Sequence, residues 1–564
     1  MLNRYIFIYE NVIVEKCYCF GGFVVGYQCF DGLFACFVDH LKKSADFRNS
    51  QLGASLILKI IILWNQLTHY KQFMLLLGID LGTSFIKVSV LDAQTGKRIV
   101  SAQYPETESE IISQQKGWAE QDPDLWWQNT KKAILKANAS GQYDSKDIAA
   151  IGIAYQMHGL VVVDKEQNVL RNSIIWCDSR AVEIGNEAFQ SLEPQGFLKS
   201  HLNSPGNFTA SKLSWVKNNE PALYEKVHKF MLPGDFLCMC LTKQINSNPS
   251  SISEGILWDF EKDALSDTLL DYYGIDQALV PDVQPIFSNY GSIDKGVAAE
   301  LGLSEKAIVS YKAGDQPNNA LSLGVIDAGE VAATAGTSGV IYAVADHLIF
   351  DKQSRVNSFA HVNHSKDQSN IGVLLCINGT GIQNSWIKKL TAQGLDYDQI
   401  NQKAADIAIG SEGIVVLPFG NGAERMLNNK TVNGHIENLD FVRHDAAHIW
   451  RAVQEGIAHS FRYGLDIIKE NEIHPTVIKA GYANMFLSPV FQQSFAGVTN
   501  VPVELYENDG SVGAALGAGI GAQVYKDKKE AFSGLKKIKT IEPQDKETYN
   551  ELYANWKESL LQKL

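Results

Sequence analysis

One short glycine turn near the start of the chain has the residue types that hold a phosphate. A hydrophobic segment, residues 75–79, is followed by Asp80 and then by the turn residues Gly82, Thr83 and Ser84. A tight glycine turn exposes successive backbone N–H groups, which together with hydroxyls suit a phosphate chain. Asp80 has the carboxylate oxygens that Mg²⁺ prefers, directly or through water. An ordinary hairpin with a polar turn explains the same residues, and no G-x-x-x-x-G-K-[ST] pattern occurs, which excludes a P-loop.

A second candidate carboxylate is Asp315. It follows a strand-like segment, residues 308–314, and precedes Gln316, Pro317 and a helical pattern. Open α/β sheets bind ligands at the carboxyl ends of their strands, beside helix N-termini. Asp315 is therefore a candidate for chemistry, although a plain helix N-cap would also account for it.

Two further stretches are compatible with both packing and binding. Gln156, Met157 and His158 interrupt two apolar strands, where polar groups need partners, and a hydrogen-bonded core histidine would satisfy that need. Residues 480–484 and 509–515 are rich in glycine and alanine. Small residues allow close backbone approach, either to a flat ligand such as adenine or to a neighbouring helix.

The elements that must position these residues alternate between strands and helices. Residues 86–91, 99–104 and 148–154 have strand-like content, and Asp122 followed by Pro123 predicts a helix start with an aspartate N-cap. Alternating strands and helices predict the α/β class. The tripeptide Gly-Thr-Ser recurs at residues 336–338 between two further strand patterns. This echo predicts two domains of related design, residues 74–325 and 326–564.

Residues 1–73 differ in amino-acid composition from the rest of the chain. They contain 14 of the chain's 56 aromatic residues and four of its eight cysteines. We expect a non-native or disordered extension that precedes a start at Met74. The rival reading is a membrane anchor, but the apolar run at residues 54–64 is too short to span a bilayer.

Composition narrows the class of partner. The formal net charge of −13 argues against nucleic acid, whose phosphates are held by surplus lysine and arginine. No cysteine pair has C-x-x-C spacing, which argues against a zinc ribbon. The chain shows no secretory cleavage pattern. We therefore expect a cytoplasmic protein without a membrane partner.

Taken in order, these motifs resemble the FGGY family of carbohydrate kinases from Met74 to the C-terminus. Further matching stretches are residues 117–123, 176–180, 212–219 and 451–456. The resemblance implies two ribonuclease H-like domains of the actin and hexokinase type, with a cleft between them. It also implies a small sugar and ATP as substrates, Mg²⁺ as cofactor and a homodimer.

The resemblance also implies roles for individual residues. Asp315 is similar to the family's catalytic base, and Asp80 to its metal-binding residue. The sugar-binding residues would be Gln156, Met157, His158, Asp315 and Gln316. The ATP-binding residues would be Gly82, Thr83, Ser84, Lys87, Gly336, Thr337, Gly481 and Asn484.

The sugar implied is D-xylulose, with D-xylulose 5-phosphate as the product in pentose catabolism. Met157-His158-Gly159 resembles the sugar-contacting motif of xylulokinases, whereas glycerol kinases carry an Arg-Glu pair there. The chain departs from the family pattern in having Gln316 where asparagine is common and Ala480 in place of a glycine. These departures leave open a kinase for ribulose, gluconate or another polyol. A separate alternative is a non-catalytic ATP-binding relative, against which Asp315 and the Met157-His158-Gly159 motif argue.

Overall fold

The computed structural model describes residues 74–564. The expectations for residues 1–73 lie outside the described residues. Two large mixed sheets organise residues 74–564. Strands of the first sheet are β1 (Leu75–Leu81), β2 (Ile86–Asp92), β3 (Arg98–Tyr104), β4 (Ile148–Tyr155), β5 (Phe287–Ser292) and β6 (Ile308–Gly314). Strands of the second are β7 (Val331–Ala335), β8 (Gly339–Ala345), β9 (Asn357–Ala360), β10 (Ile371–Ile377), β11 (Ile478–Gly481), β12 (Val503–Tyr506) and β13 (Lys537–Ile541).

The two sheets share the same arrangement of strand order and direction around their central strands. In the first, the order is β5-β6-β4-β1-β2-β3, with β1, β4 and β6 parallel and β2 antiparallel to β1. In the second, the order is β9-β10-β8-β7-β11-β12-β13, with β7, β11 and β12 parallel and β8 antiparallel to β7. The α/β class and the pair of related sheet domains are therefore confirmed. We call these the first and second lobes.

Seventeen helices in residues 74–564 cover and connect the sheets. They are α1 (Pro123–Asn138), α2 (Val182–Ser191), α3 (Pro194–His201), α4 (Thr209–Asn219), α5 (Pro221–Tyr224), α6 (Pro233–Thr242), α7 (Pro249–Glu254), α8 (Asp267–Tyr273), α9 (Lys295–Leu301), α10 (Asp315–Ser322), α11 (Gly381–Thr391), α12 (Tyr397–Ala405), α13 (Ala446–Glu470), α14 (Pro489–Thr499), α15 (Gly510–Gly521), α16 (Lys528–Ala531) and α17 (Lys546–Leu561). Each is too short or too polar to cross a lipid bilayer.

Local sequence explains where α1 begins. The Asp122 side chain accepts a hydrogen bond from the backbone N–H of Asp124 at 2.9 Å, and Pro123 occupies the first helical position. Both features favour a helix N-terminus. The apolar face of α1 is buried through Trp126 and Ile134. The predicted helix start is confirmed.

Helix α15 follows β12 of the second lobe yet packs against the first sheet. A Cβ on Gly78 of β1 would overlap the carbonyl oxygen of Ser511, and a Cβ on Gly152 of β4 would overlap that of Ala514. The helix backbone therefore rests directly on the strand backbones. Ser310 on β6 adds a hydrogen bond from its hydroxyl to the carbonyl oxygen of Ala518 at 2.8 Å.

We predict that Gly78→Val separates this helix from β1. Overpacking of this kind costs about 1–3 kcal/mol or more, so the Tm measured by differential scanning fluorimetry should fall by about 5 °C. Gly296→Ala is the matched control, because a Cβ there meets only a side-chain oxygen of Asp294, at 3.2 Å. An unchanged Tm in Gly78→Val would contradict direct contact between α15 and β1.

Candidate active site

Three neighbouring parallel strands bring the predicted residues of the first lobe together. Asp80 lies one residue before the end of β1, Gln156 directly follows β4, and Asp315 directly follows β6. The strands are in register at this edge, since Leu81 and Gly314 both pair with Tyr155. Their carboxyl ends form one edge, where open α/β sheets bind ligands.

The carboxyl groups at this edge interact electrostatically. Burial, together with the charges of Asp315 and Asp509, raises the pKa of Asp80 to about 7, although the charge of Lys87 opposes the shift. Burial also raises the pKa of Asp315 to about 6, against hydrogen bonds from Gln316. A carboxyl group with a pKa near neutrality suits proton transfer at physiological pH.

Asp509 is a site residue that sequence reasoning did not select. It caps α15, its side chain accepting from the backbone N–H of Ser511 at 3.0 Å, and it forms an ion pair with Lys87. A Cβ on the next residue, Gly510, would overlap the carboxylate of Asp80. The second lobe thus contributes a helix N-terminus and a carboxylate beside Asp80.

Lys87 was expected to bind ATP. The structure places it opposite Asp80 in the β1–β2 ladder and pairs its ammonium group with Asp509. Its charge lies beside both carboxylates, so it offsets part of their repulsion.

The Met157-His158 motif lies at the same edge, in a corner lined by aromatic rings. His158 has a left-handed backbone (φ 61°), and its Nδ1 is 3.2 Å from the carbonyl oxygen of Glu254. Its ring centroid is 4.7 Å from that of Phe208 and 5.5 Å from that of Phe359, which belongs to the second lobe. Burial, helped by Lys212, lowers the pKa of His158 to about 3. The imidazole is therefore neutral.

Gln156 has its side chain engaged in a buried network. Its amide donates to Oε1 of Gln121 at 3.0 Å, and the Gln121 amide donates to the carbonyl oxygen of Thr83 at 2.8 Å. Trp176 adds a bond from its indole N–H to the Thr83 hydroxyl at 3.0 Å. These contacts fix the glycine turn at residues 82–84 against the end of β4.

The nucleotide-binding residues predicted for the second lobe also cluster. Gly336 and Thr337 lie between β7 and β8, and their carbonyl oxygens accept from the backbone N–H groups of Gly381 (2.9 Å) and Ile382 (3.0 Å) at the start of α11. A Cβ on Gly336 would lie 3.6 Å from the side-chain nitrogen of Asn484. Gly481 ends β11, the strand beside β7.

Hydrogen bonds join the strand edges of the two lobes. Asn508, which follows β12, donates to Oδ1 of Asn319 at 2.8 Å and accepts from the Ser322 hydroxyl at 2.6 Å, and both partners lie on the helix that Asp315 begins. The helix that begins at Asp315 is therefore bonded directly to the second lobe.

The donor set fits Mg²⁺ held partly by water. Asp80, Asp315 and Asp509 supply oxygen ligands, which Mg²⁺ requires, but residues 74–564 contain no group of three side chains placed to bind one metal ion directly. Mg²⁺ usually keeps several waters and takes one or two carboxylates plus substrate phosphates. The site matches that pattern, with Asp80 as the carboxylate nearest the first turn.

Comparison with known families decides the assignment. The N-terminal domain of the FGGY family of carbohydrate kinases matches residues 75–322, and its C-terminal domain matches residues 331–522. The chain belongs to the FGGY family of carbohydrate kinases. The predicted family is thus confirmed, and the chain is a carbohydrate kinase that uses ATP as co-substrate.

Individual sequence relatives of the chain are also sugar kinases. The chain is 32% identical to the xylulose kinase of Escherichia coli over 458 residues, which cover 79% of this chain and 89% of that protein. It is 30% identical to the xylulose kinase of Bacillus subtilis over 459 residues, or 79% and 88% of the two chains.

Solved FGGY kinases share the fold. The xylulose kinase of Rhodospirillum rubrum superposes with a TM-score of 0.78 at 23% identity, covering 86% of this chain and 98% of that one. The gluconate kinase of Lactobacillus acidophilus gives 0.78 at 23% identity, covering 86% and 97%. At this identity the likeness supports the fold and not the substrate.

We predict that Asp80→Asn stabilises the kinase more at pH 8 than at pH 5. The pKa of Asp80 is raised in the folded protein, so the stability linked to its neutral form is present in acid and lost as the pH rises through about 7. The asparagine stays neutral, so its Tm should exceed that of the wild type by several degrees at pH 8. The exposed change Asp367→Asn should move the Tm by less than about 1 °C at either pH. An equal Tm gain at both pH values would contradict the shifted pKa.

Proposed function

We propose that this FGGY kinase transfers the γ-phosphoryl group of ATP to D-xylulose and forms D-xylulose 5-phosphate. The observation that carries the proposal is the position of Asp315. Its carboxylate stands at the carboxyl edge of the first sheet, beside the Met157-His158 corner, and at the start of a helix that is hydrogen-bonded to the second lobe. The xylulose kinases among its relatives supply the identity of the sugar.

In the proposed reaction the terminal hydroxyl of the ketose gives its proton to Asp315. The hydroxyl oxygen forms a bond to the γ-phosphorus as the bond from that phosphorus to the bridging oxygen of ADP breaks. Phosphoryl transfer depends mainly on positioning and on electrostatic stabilisation. Mg²⁺, held near Asp80 through water, would screen the charge of the phosphates.

The two glycine turns are the proposed phosphate holders. Residues 82–84 approach from the first lobe and residues 336–337 from the second, each with backbone N–H groups in a turn. Gly481 and Asn484 lie beside the second turn and would contact the nucleoside. Lys87 would screen the phosphates from its place between Asp80 and Asp509.

Three further proposals remain. The boundary between the lobes at residues 325 and 326 rests on the repeated Gly-Thr-Ser tripeptide, the cytoplasmic location on the sequence pattern, and the homodimer on the family resemblance. The boundary falls in the connection between β6 with its helix α10 and strand β7.

A panel of sugars tests the substrate. ADP release should be followed with D-xylulose, D-ribulose, glycerol and gluconate at equal concentrations. We expect kcat/KM for D-xylulose to exceed that for each of the others by about tenfold or more. A higher value for any other sugar would transfer the proposal to that sugar, and no turnover on any would contradict it.

We predict that Asp315→Asn lowers kcat by about 100-fold or more, since it keeps the shape and removes the base. The Kd for ATP, measured by calorimetry, should stay within about twofold, because the nucleotide is held by the glycine turns. Asp267→Asn, an exposed first-turn aspartate of α8, is the matched control and should leave kcat unchanged. Near-normal turnover in Asp315→Asn would exclude Asp315 as the base.

A further inference from the structure

Glu254 is a buried acidic residue that the proposed mechanism does not use. It ends helix α7, and only 1% of its surface is exposed. Its Oε1 atom is enclosed and has no hydrogen-bond partner in residues 74–564. Leaving a buried polar atom unpaired costs stability, so such an atom calls for an explanation.

The Glu254 carboxyl group lies beside Gly314, the residue that precedes Asp315. A Cβ on Gly314 would be 2.8 Å from Oε2 of Glu254 and 2.6 Å from Cγ of Met157. The backbone carbonyl of Glu254 also contacts Nδ1 of His158. Glu254 therefore shares one corner with the base and with both residues of the sugar motif.

The environment of the carboxyl group favours its neutral form. Burial raises the pKa of Glu254 well above its usual value, and the charges of Asp315 and Asp235 raise it further. The buried ammonium groups of Lys312 and Lys212 have other partners: Lys312 is 2.7 Å from Asp235, and Lys212 donates to two carbonyl oxygens. A neutral carboxylic acid can both donate and accept a hydrogen bond.

We propose that Glu254 is a sugar-binding residue whose Oε1 side pairs with a ketose hydroxyl other than the one that is phosphorylated. The proposal rests on the sugar kinase function proposed above. Met157 lies over the same glycine, and its flexible thioether side chain moves aside when the sugar enters. The missing partner of the carboxyl group is thus supplied by the substrate, which makes Glu254 a specificity determinant.

Glu254→Leu tests this with two readouts. Leucine fills the space without a polar atom, so the Tm should rise by a few degrees, while the KM for D-xylulose rises by about 10–100-fold and the KM for ATP stays within about twofold. Glu455→Leu is the matched control. Glu455 is also buried, but it accepts from Arg451 at 2.7 Å and from Ser411 at 3.0 Å, so its loss should lower the Tm and leave the KM for the sugar unchanged.

A series of monodeoxy ketoses identifies the hydroxyl. In the wild type each missing hydroxyl that is recognised lowers kcat/KM. In Glu254→Leu one of these losses should shrink to about twofold or less, while the others persist. Glu254→Gln keeps the shape and the neutral state and should show a sugar KM within about threefold of the wild type.

The outcomes separate this inference from the proposed function. If the wild type phosphorylates none of the sugars, the proposed function fails and this inference fails with it. A second outcome is that the wild type phosphorylates a ketose while Glu254→Leu keeps the same sugar KM and the same loss of kcat/KM for every deoxy sugar. That result would refute only the role of Glu254, and an ordered water would then be the partner of its carboxyl group. A Glu254→Leu protein that does not fold, or a sugar KM in Glu254→Gln raised more than about tenfold, would also overturn it.

Discussion

The backbone contact between helix α15 and the first sheet is the constraint on which the active site depends. The helix leaves the second sheet through β12, and its own backbone rests on β1 and β4 at Gly78 and Gly152. No side chain fits between these surfaces, so the distance between the helix and the sheet is fixed. Its N-terminus then lies beside Asp80, and Asn318 of α10 closes the arrangement with a hydrogen bond to the carbonyl oxygen of Gly510 at 2.9 Å.

A second connection joins the lobes at the sugar corner. The Ser250 hydroxyl donates to the carbonyl oxygen of Ala360 at 2.9 Å, and the Ala360 N–H donates to the Ser253 hydroxyl at 3.0 Å. Helix α7 is therefore bonded to the edge strand β9 of the second sheet, whose Phe359 reaches His158. The sugar corner contains groups from both lobes, so movement between the lobes would alter its shape.

Local sequence predicted which residues lie at the site better than it predicted the contacts that those residues make. Asp80 and Asp315 were recognisable because each follows a strand pattern, and parallel strands end at a common edge. Asp509 and Glu254 were not, because their roles arise from packing between segments hundreds of residues apart or from burial. Lys87 was selected by resemblance, but its pairing with Asp509 depends on where α15 lies. Likewise, the position of Gln156 was predictable, but its hydrogen bonds to Gln121 were not.

The site combines two kinds of electrostatic environment. Around His158, burial shifts pKa values towards the neutral forms: it lowers the pKa of His158 to about 3 and that of Lys212 to about 7, and it raises that of Glu254. On the phosphate side, Asp80, Asp509 and Lys87 lie together beside a helix N-terminus. A neutral polyol is matched by uncharged donors and acceptors, which discriminate by the hydroxyls they pair with. A triphosphate is matched by N–H groups and a cation. Asp315 stands where these environments meet, and in the proposed reaction a proton leaves a neutral hydroxyl there as negative charge moves along the phosphates.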